Sequence, residues 1–258
     1  MIGTSTVQKD VPRQAAGVVR RLLGPAEIAA ALDAGIPVRR ILVQEGERSE
    51  ETERVIARAH AAAIPVMVEG RREMWRMSPS GHCLEALGLA GRDPDVSLAG
   101  ALAGAGAVWL LAQVDYASNV GVAIRTAEVG GADAVIVDAR FGSKEKKEAL
   151  RVSIQADRFM AVFWERTRRV LDLCADTSRR IIAVESTGTA APWDVDLRGP
   201  VLLVVGNESH GIAPEILAAC DEVIRVPMAG FIPAYNVQAA VAAVAAERLR
   251  QLATARSR

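Results

Sequence analysis

Three short stretches of this chain set glycine, amide, carboxylate and guanidinium groups at fixed spacing directly after apolar runs. The first is Asp115-Tyr116-Ala117-Ser118-Asn119-Val120-Gly121, continuing as Ala123-Ile124-Arg125-Thr126-Ala127. Asn119 is suited to cap the helix that starts there, and Gly121 permits a close approach of another backbone. Arg125, one to two turns into that helix, offers a bidentate fork to a phosphate. The second is Gly206-Asn207-Glu208-Ser209-His210-Gly211. Its glycines would let a ligand reach the backbone, and Glu208 can accept hydrogen bonds there. It lacks the Lys-Ser/Thr pair of a P-loop, and its Gly-four-Gly spacing late in the chain is not the dinucleotide fingerprint. His210 reads as a turn residue rather than a base. The third is Pro227-Met228-Ala229-Gly230-Phe231-Ile232-Pro233-Ala234-Tyr235-Asn236-Val237. Two prolines and a glycine hold off a helix until Asn236, which can cap it. Taken singly, each stretch reads equally well as a cap, a turn or a rigid loop with no ligand.

The elements around them predict where these groups sit. Apolar runs at 108–114, 134–137, 181–184, 201–205 and 223–226 have the continuous character of strands buried on both faces of a parallel sheet. Helices are expected at 120–129, 165–175, 214–219 and 236–252, the last with Val237, Ala240, Val241, Val244, Ala245, Leu249 and Leu252 at helical spacing. In such sheets ligands bind beyond the carboxyl ends of the strands, where all three motifs fall. The Val237, Val241 and Val244 face exceeds what one core needs, which predicts a two-fold interface shared with the first-motif helix. Upstream, 26–34 and 51–62 read as helices, the latter with Val55, Ile56 and Ala59 on one face. Residues 39–44 (RRILVQ) and 64–69 (IPVMVE) read as strands. This predicts a small α/β domain over 17–98 after a loose tail at 1–16, with 89–106, rich in Gly, Ala and Asp, as its end and linker. The larger domain then covers 107–258.

Composition narrows the class. The 258 residues balance 31 basic against 31 acidic side chains, so no global charge marks a nucleic-acid binder. Locally, Arg140, Lys144, Lys146, Lys147 and Arg151 outnumber Glu145 and Glu148, and Arg158, Arg166, Arg168 and Arg169 outnumber Glu165. Such clusters track phosphates or form solvated helix faces. Cys83, Cys174 and Cys220 are odd in number with no CxxC pair, as expected for reduced thiols in a cytoplasmic protein without a structural metal site. No apolar run approaches the ~20 residues needed to span a bilayer, and 1–21 lacks a signal-like apolar stretch, so no membrane partner is expected.

Together, Asn-x-Gly-x-x-x-Arg-Thr-Ala, Gly-Asn-Glu-x-x-Gly and Pro-Met-x-Gly-(x)5-Asn-Val, in that order, resemble the three signature motifs of the SpoU (TrmH) family of RNA ribose 2′-O-methyltransferases over about 107–252. The resemblance implies a deep trefoil knot, S-adenosylmethionine bound in it, and a homodimer that builds the active site. It sets Gly206, Asn207, Glu208, Gly211, Val226, Met228, Gly230, Tyr235 and Asn236 around the cofactor. Asn119, Arg125, Glu208 and Asn236 fall at the reaction centre, and Arg125, Lys144, Lys146, Lys147 and Arg151 on the RNA. A guanidinium loses its proton only above ~12, so Arg125 is better suited to holding a phosphate and steadying a developing alkoxide than to acting as a base. Gly35-Ile36-Pro37, Ile64-Pro65-Val66 and Gly81-His82 resemble the ribosomal-protein-like substrate-binding domain of members that act on ribosomal RNA, which points to 23S ribosomal RNA. A tRNA substrate, or a non-catalytic cofactor- and RNA-binding relative, are the alternatives. A nucleotide-dependent enzyme of ordinary doubly wound fold is a third, disfavoured by the missing glycine fingerprint. Four departures stand out. Ala234-Tyr235-Asn236 replaces Ser-Leu-Asn, and Ser209 replaces a glycine. Ser153 keeps the serine of a Ser-x-Gly-Ala stretch while Gln155 replaces its glycine, and His82-Cys83-Leu84 replaces His-Gln-Gly.

Overall fold

The computed structural model describes residues 20–78 and 83–255. The chain divides into two compact units between Arg92 and Asp93. The first holds β1 (Arg20–Leu23), α1 (Pro25–Asp33), β2 (Val38–Gln44), α2 (Glu50–Ala61), β3 (Val66–Glu69), α3 (Arg71–Met77) and β4 (Ala86–Ala90). Its sheet runs β1-β4-β2-β3; β2 and β3 are parallel, and β4 is antiparallel to both β1 and β2. Leu22, Ile28, Ile41, Val43, Val55 and Ala59 form its core. The Ser49 hydroxyl caps α2 by accepting from the Thr52 N–H. Glu85 reinforces that cap, accepting from the Ser49 N–H at 3.0 Å and from the Ser49 and Thr52 hydroxyls at 2.7 Å each.

The expected linker at 89–106 is largely ordered structure. β4 pairs through Ala90, and the second unit opens with α4 (Leu98–Ala103), capped by the Ser97 hydroxyl. The glycines there serve packing: a Cβ on Gly100 would lie 2.9 Å from the Val96 side chain. The predicted tail, 1–16, lies outside the described residues.

The second unit continues with β5 (Ala107–Leu111), α5 (Ala117–Val129), β6 (Ala134–Val137), α6 (Ser143–Val152), β7 (Ala161–Trp164), α7 (Thr167–Cys174), β8 (Arg180–Val184), β9 (Val201–Val205), α8 (Pro214–Leu217), β10 (Glu222–Ile224) and α9 (Val237–Ala255). The sheet order is β10-β8-β9-β5-β6-β7, with every pair parallel. Every residue of β5, β6 and β9 is buried, because helices cover both faces. On one face Trp109, Leu111, Val135 and Leu203 pack on Val120, Ile124, Val241 and Val244. On the other, Val108, Leu110, Ile136 and Val204 pack on Leu102, Val170 and Ile216. Val237, Val241 and Val244 are therefore consumed by the chain's own core and are not available as a two-fold interface.

At the amino-terminal edge of this sheet Arg179 is 4% exposed and donates to five carbonyls. Its Nε reaches Leu102 O at 2.8 Å; one Nη reaches Gly106 O and Val201 O at 2.7 and 2.8 Å; the other reaches Ala101 O and Gly104 O at 3.0 and 2.7 Å. One side chain thus satisfies the carboxyl end of α4 and the approaches to β5 and β9. Burial pushes its pKa down, but a guanidinium starts so high that it remains charged.

Candidate active site

The carboxyl edge of the same sheet carries the three motifs. After β9 the chain folds back tightly, so that the Asn207 and Gly211 main chains exchange two hydrogen bonds of 3.0 Å. The Asn207 side chain organises the surrounding loops. Its amide donates to Gln113 O at 2.8 Å and to an Asp115 carboxylate oxygen at 2.7 Å. Its oxygen accepts from the Ser209 and His210 N–H groups at 2.8 and 3.1 Å. This turn requires glycine at Gly206, since a Cβ there would lie 2.3 Å from the Gly211 carbonyl carbon. Gly211 takes a left-handed φ of 69°, and a Cβ on it would meet the Glu185 carboxylate at 2.5 Å. Glu185, following β8, accepts from the Ile212 N–H at 2.9 Å. The loop after β8 also meets the one after β10: Arg225 N–H donates to Ala190 O at 2.8 Å, and Gly188 leaves no room for a side chain beside Ile224.

Glu208 bridges the first two motifs. One carboxylate oxygen accepts from the Asn119 amide at 2.9 Å and the other from the Asp115 N–H at 3.3 Å. Asn119 therefore does not cap α5. The cap position belongs to Tyr116, which makes no side-chain bond, and Asn119 sits inside the first turn with its amide turned to Glu208. Gly121 is in close contact, but with another helix: a Cβ would lie 2.5 Å from Ala149 O and 2.6 Å from Val152 Cβ on α6.

Arg125 is exposed, and among the described residues it makes no hydrogen bond or ion pair. Six residues beyond Asn119, it lies ~9 Å further along the helix and about 240° around it. One chain alone does not bring it to the Asn119–Glu208 pair. Asn236 accepts from the Gln238 N–H at 3.1 Å and caps α9, without bonding to Asn119, Arg125 or Glu208. In the third-motif loop the Tyr235 hydroxyl donates to Pro227 O at 3.2 Å. Val226 and Met228 are half-buried, while Phe231, Ile232 and Tyr235 are exposed, beside nothing within 4 Å of a Cβ on Gly230. Val226 lies beyond the sheet, because β10 ends at Ile224.

The basic clusters divide. On α6, Lys144, Lys147 and Arg151 are exposed, whereas the Lys146 ammonium sits 5.3 Å from the Trp164 ring centroid in a cation–π contact. In the second cluster Arg166, Arg168 and Arg169 pair with Asp138, Asp172 and Glu165 at 3.2, 3.0 and 2.9 Å. His82 lies outside the described residues. The three cysteines are unpaired, and burial pushes the Cys220 thiol up to about 11. No group of metal-ligating side chains occurs among the described residues. No described helix is long and apolar enough to cross a membrane. Gln113 and Glu185 lie outside the three stretches, although Glu185 directly follows the apolar run 181–184 and obeys the same strand-end rule. A cavity of about 700 Å³ beside α7 and α8 includes Gln113 but none of the predicted site residues.

The SpoU rRNA methylase family matches residues 107–246. An uncharacterized tRNA/rRNA methyltransferase of Mycobacterium ulcerans (strain Agy99) is 31% identical over 242 residues, 90% of this chain and 77% of that protein. Two solved structures share the fold. An RNA 2′-O ribose methyltransferase gives a TM-score of 0.53 at 24% identity, over 92% of this chain and 90% of its own. An AdoMet-bound rRNA methyltransferase from Sinorhizobium meliloti gives 0.56 at 19%, over 91% and 88%. With the family spanning the whole motif-bearing sheet and the mycobacterial relative extending through both units, this chain belongs to the SpoU rRNA methylase family and is a methyltransferase that uses S-adenosylmethionine.

Proposed function

We propose that this protein methylates a ribose 2′-hydroxyl of RNA, with 23S ribosomal RNA as the substrate. The observation that carries the reading is the Asn119–Glu208 hydrogen bond, which joins two motifs 89 residues apart at the carboxyl edge of the sheet. The third-motif loop fits the cofactor. Gly230 faces open space, the half-buried Val226 and Met228 offer an apolar wall for a base, and the main chain around them is accessible. Val226, Met228, Gly230 and Tyr235 would hold S-adenosylmethionine, with the Gly206–Gly211 turn as the rigid floor. When bound, the cofactor supplies a methyl group on a sulfonium, open to in-line attack by the ribose oxygen.

The protein's part is positioning and charge stabilisation. Glu208, held by Asn119 and the Asp115 N–H, keeps the α5 amino terminus fixed against the floor. Arg125, exposed and unpaired, is free to hold the phosphate beside the target ribose and to stabilise the oxygen as its proton passes to solvent. Lys144, Lys147 and Arg151 extend the basic surface along α6, which packs on α5 at Gly121. The interleaved loops after β8, β9 and β10 support a trefoil knot. The separation of Arg125 from Asn119 and Glu208 supports a homodimer in which a second subunit completes the site. The first unit, a four-stranded α/β sheet, supports an RNA-binding role ahead of the methyltransferase unit, in a cytoplasmic enzyme.

The test is methyl transfer from labelled S-adenosylmethionine to total RNA from a strain lacking the gene, followed by mapping of 2′-O-methyl sites. The wild type should label ribosomal RNA. Arg125→Ala should keep cofactor affinity and lose roughly 100-fold or more in rate, the scale of one preorganised charge-stabilising donor. Arg125→Lys should recover little, since an ammonium lacks the fork. Unchanged turnover in Arg125→Ala would remove the arginine from the mechanism. Wild type that binds cofactor and RNA yet methylates neither ribosomal nor transfer RNA would favour the non-catalytic reading, for which Ala234, lacking a hydroxyl, is the feature in favour.

A further inference from the structure

The turn that leaves α6 holds two consecutive non-glycine residues in the left-handed region, Ile154 at φ 59° and Gln155 at φ 53°. For a β-branched residue this is a true outlier. Each such residue is destabilising and persists only where the surroundings impose it. Here the turn also closes the helix. Gln155 N–H donates to Leu150 O at 2.9 Å and Ile154 N–H to Arg151 O at 3.2 Å, a pattern in which glycine is the usual left-handed residue. Capping alone would be better served by glycine at either position. Nor is either side chain buried in the core. Ile154 is 37% exposed, Gln155 is exposed, and the Gln155 amide makes no hydrogen bond among the described residues.

The turn is nonetheless firmly held. Ser153, 1% exposed, donates its hydroxyl to Leu150 O at 2.8 Å and accepts from the Ala156 N–H at 3.2 Å. The segments on either side both pack on α5. Ala149 and Val152 abut Gly121, one helical turn from Arg125, and the 3-10 turn Ala156–Arg158 lies against the same helix. A rigid, strained turn thus presents an apolar and an amide side chain beside the helix that bears Asn119 and Arg125, directly after the exposed Arg151.

We propose that the Ile154–Gln155 turn is a substrate-recognition element: Gln155 hydrogen-bonds the edge of a base flanking the target ribose, and Ile154 packs on that base. The inference rests on the RNA methyltransferase reading of the adjoining site. Glutamine offers both a donor and an acceptor in one plane, as a base edge requires, and RNA is read chiefly through splayed, unpaired bases. A turn already fixed in its bound shape loses little freedom on binding, which accounts for the retention of its strain.

Gln155→Gly separates the two roles, because glycine relieves the backbone while removing the amide. Three quantities are read on parent and variant: the melting temperature, the affinity for S-adenosylmethionine, and the concentration dependence of methyl transfer to total RNA from a strain lacking the gene. The variant should melt higher and bind cofactor unchanged, while its KM for RNA rises about tenfold, the scale of one lost base-edge pair. Gln155→Asn, which tolerates the left-handed region and keeps the amide, should recover part of the RNA affinity. A Gln155→Gly protein that melts higher with unchanged KM and kcat would overturn the proposal and leave the turn an ill-chosen cap. A parent protein that transfers no methyl group would instead count against the reading on which the proposal rests.

Discussion

Replacing Arg179 with Met should destabilise the second unit while leaving its site chemistry untouched. Methionine retains a similar reach and apolar stem but removes all five donors, leaving the carbonyls of Ala101, Leu102, Gly104, Gly106 and Val201 without their partner. At ~1 kcal/mol net for each bond, the loss is about 5 kcal/mol. Against it stands the relief of no longer burying a guanidinium, which recovers ~2 kcal/mol of the several that burial costs. The expected net loss is about 3 kcal/mol, or roughly 6–12 °C in melting temperature for a unit of this size. Arg179→Lys should recover less than half, because three donors on one point cannot reach five carbonyls spread over α4, β5 and β9. Thermal unfolding by circular dichroism measures this, with calorimetric titration of S-adenosylmethionine at 20 °C as the control for the site. A melting temperature within 2 °C of the parent would refute the argument. So would a loss of cofactor affinity larger than the unfolded fraction explains, because Arg179 stands at the opposite edge of the sheet from the motifs.

Further outcomes follow from the same geometry. Gly206→Val should lower the melting temperature, because its side chain would collide with the Gly211 main chain, whereas Gly230→Val should melt like the parent and bind S-adenosylmethionine weakly. Scanning fluorimetry and calorimetry together read both, and equal cofactor affinity in Gly230→Val would displace the third-motif loop from the binding site. The Ser49 and Thr52 hydrogen bonds hold the Glu85 carboxyl below its ordinary value near 4.5. Its contribution is therefore present above that value and lost as pH falls through the lowered one. Glu85→Gln should melt lower than the parent at pH 7, with the difference narrowing as pH falls below 4.5 and through the lowered value of the parent's own carboxyl; a gap that does not narrow on acidification would contradict this. Sedimentation at micromolar concentration should give twice the 27.4 kDa chain mass, and a clean monomer would leave the separated Arg125 without a second subunit to serve.

The methyltransferase unit was the more legible of the two because its strands are buried on both faces. Continuous apolar runs located Ala134–Val137 and Val201–Val205 to the residue. Elements with weak apolar signals escaped. α6 (Ser143–Val152) has Ala149 as its buried residue, so it read as a charge cluster. β7 is four residues long, and α4 is built of Ala, Gly and Leu and passed for a linker, although Ser97 marked its start. At the site, the motif order foretold that Asn119 and Glu208 belong together, but no local rule foretold their hydrogen bond, which depends on contacts nearly ninety residues apart. The second-motif glycines read as openings for a ligand. Gly206 also admits the Gly211 main chain, as Gly121 admits α6 in line with its reading, and a single sequence does not distinguish these uses. The Val237, Val241 and Val244 stripe was correctly placed on one helix face and wrongly assigned outward, because helical periodicity gives a direction but not the depth of what lies beyond it.

The tethering of the motif loops is unequal, and this bears on the order of events at the site. The loops after β5 and β9 are fastened to each other through Asn207 and Glu208, and the loop after β9 is fastened to that after β8 through Glu185. Among the described residues, the 227–236 segment is spanned by one side-chain bond, from Tyr235 to Pro227. Conformational freedom at the carboxyl edge is therefore concentrated in the wall that would close over the cofactor. Ordering that wall is an entropic cost met once, by whichever ligand arrives first, and the second ligand then meets a finished surface. Cofactor and RNA should consequently favour each other's binding even without touching. In hydrogen exchange, the signature would be main-chain protection gained at 228–235 on addition of cofactor alone, with the 206–212 turn already protected in its absence.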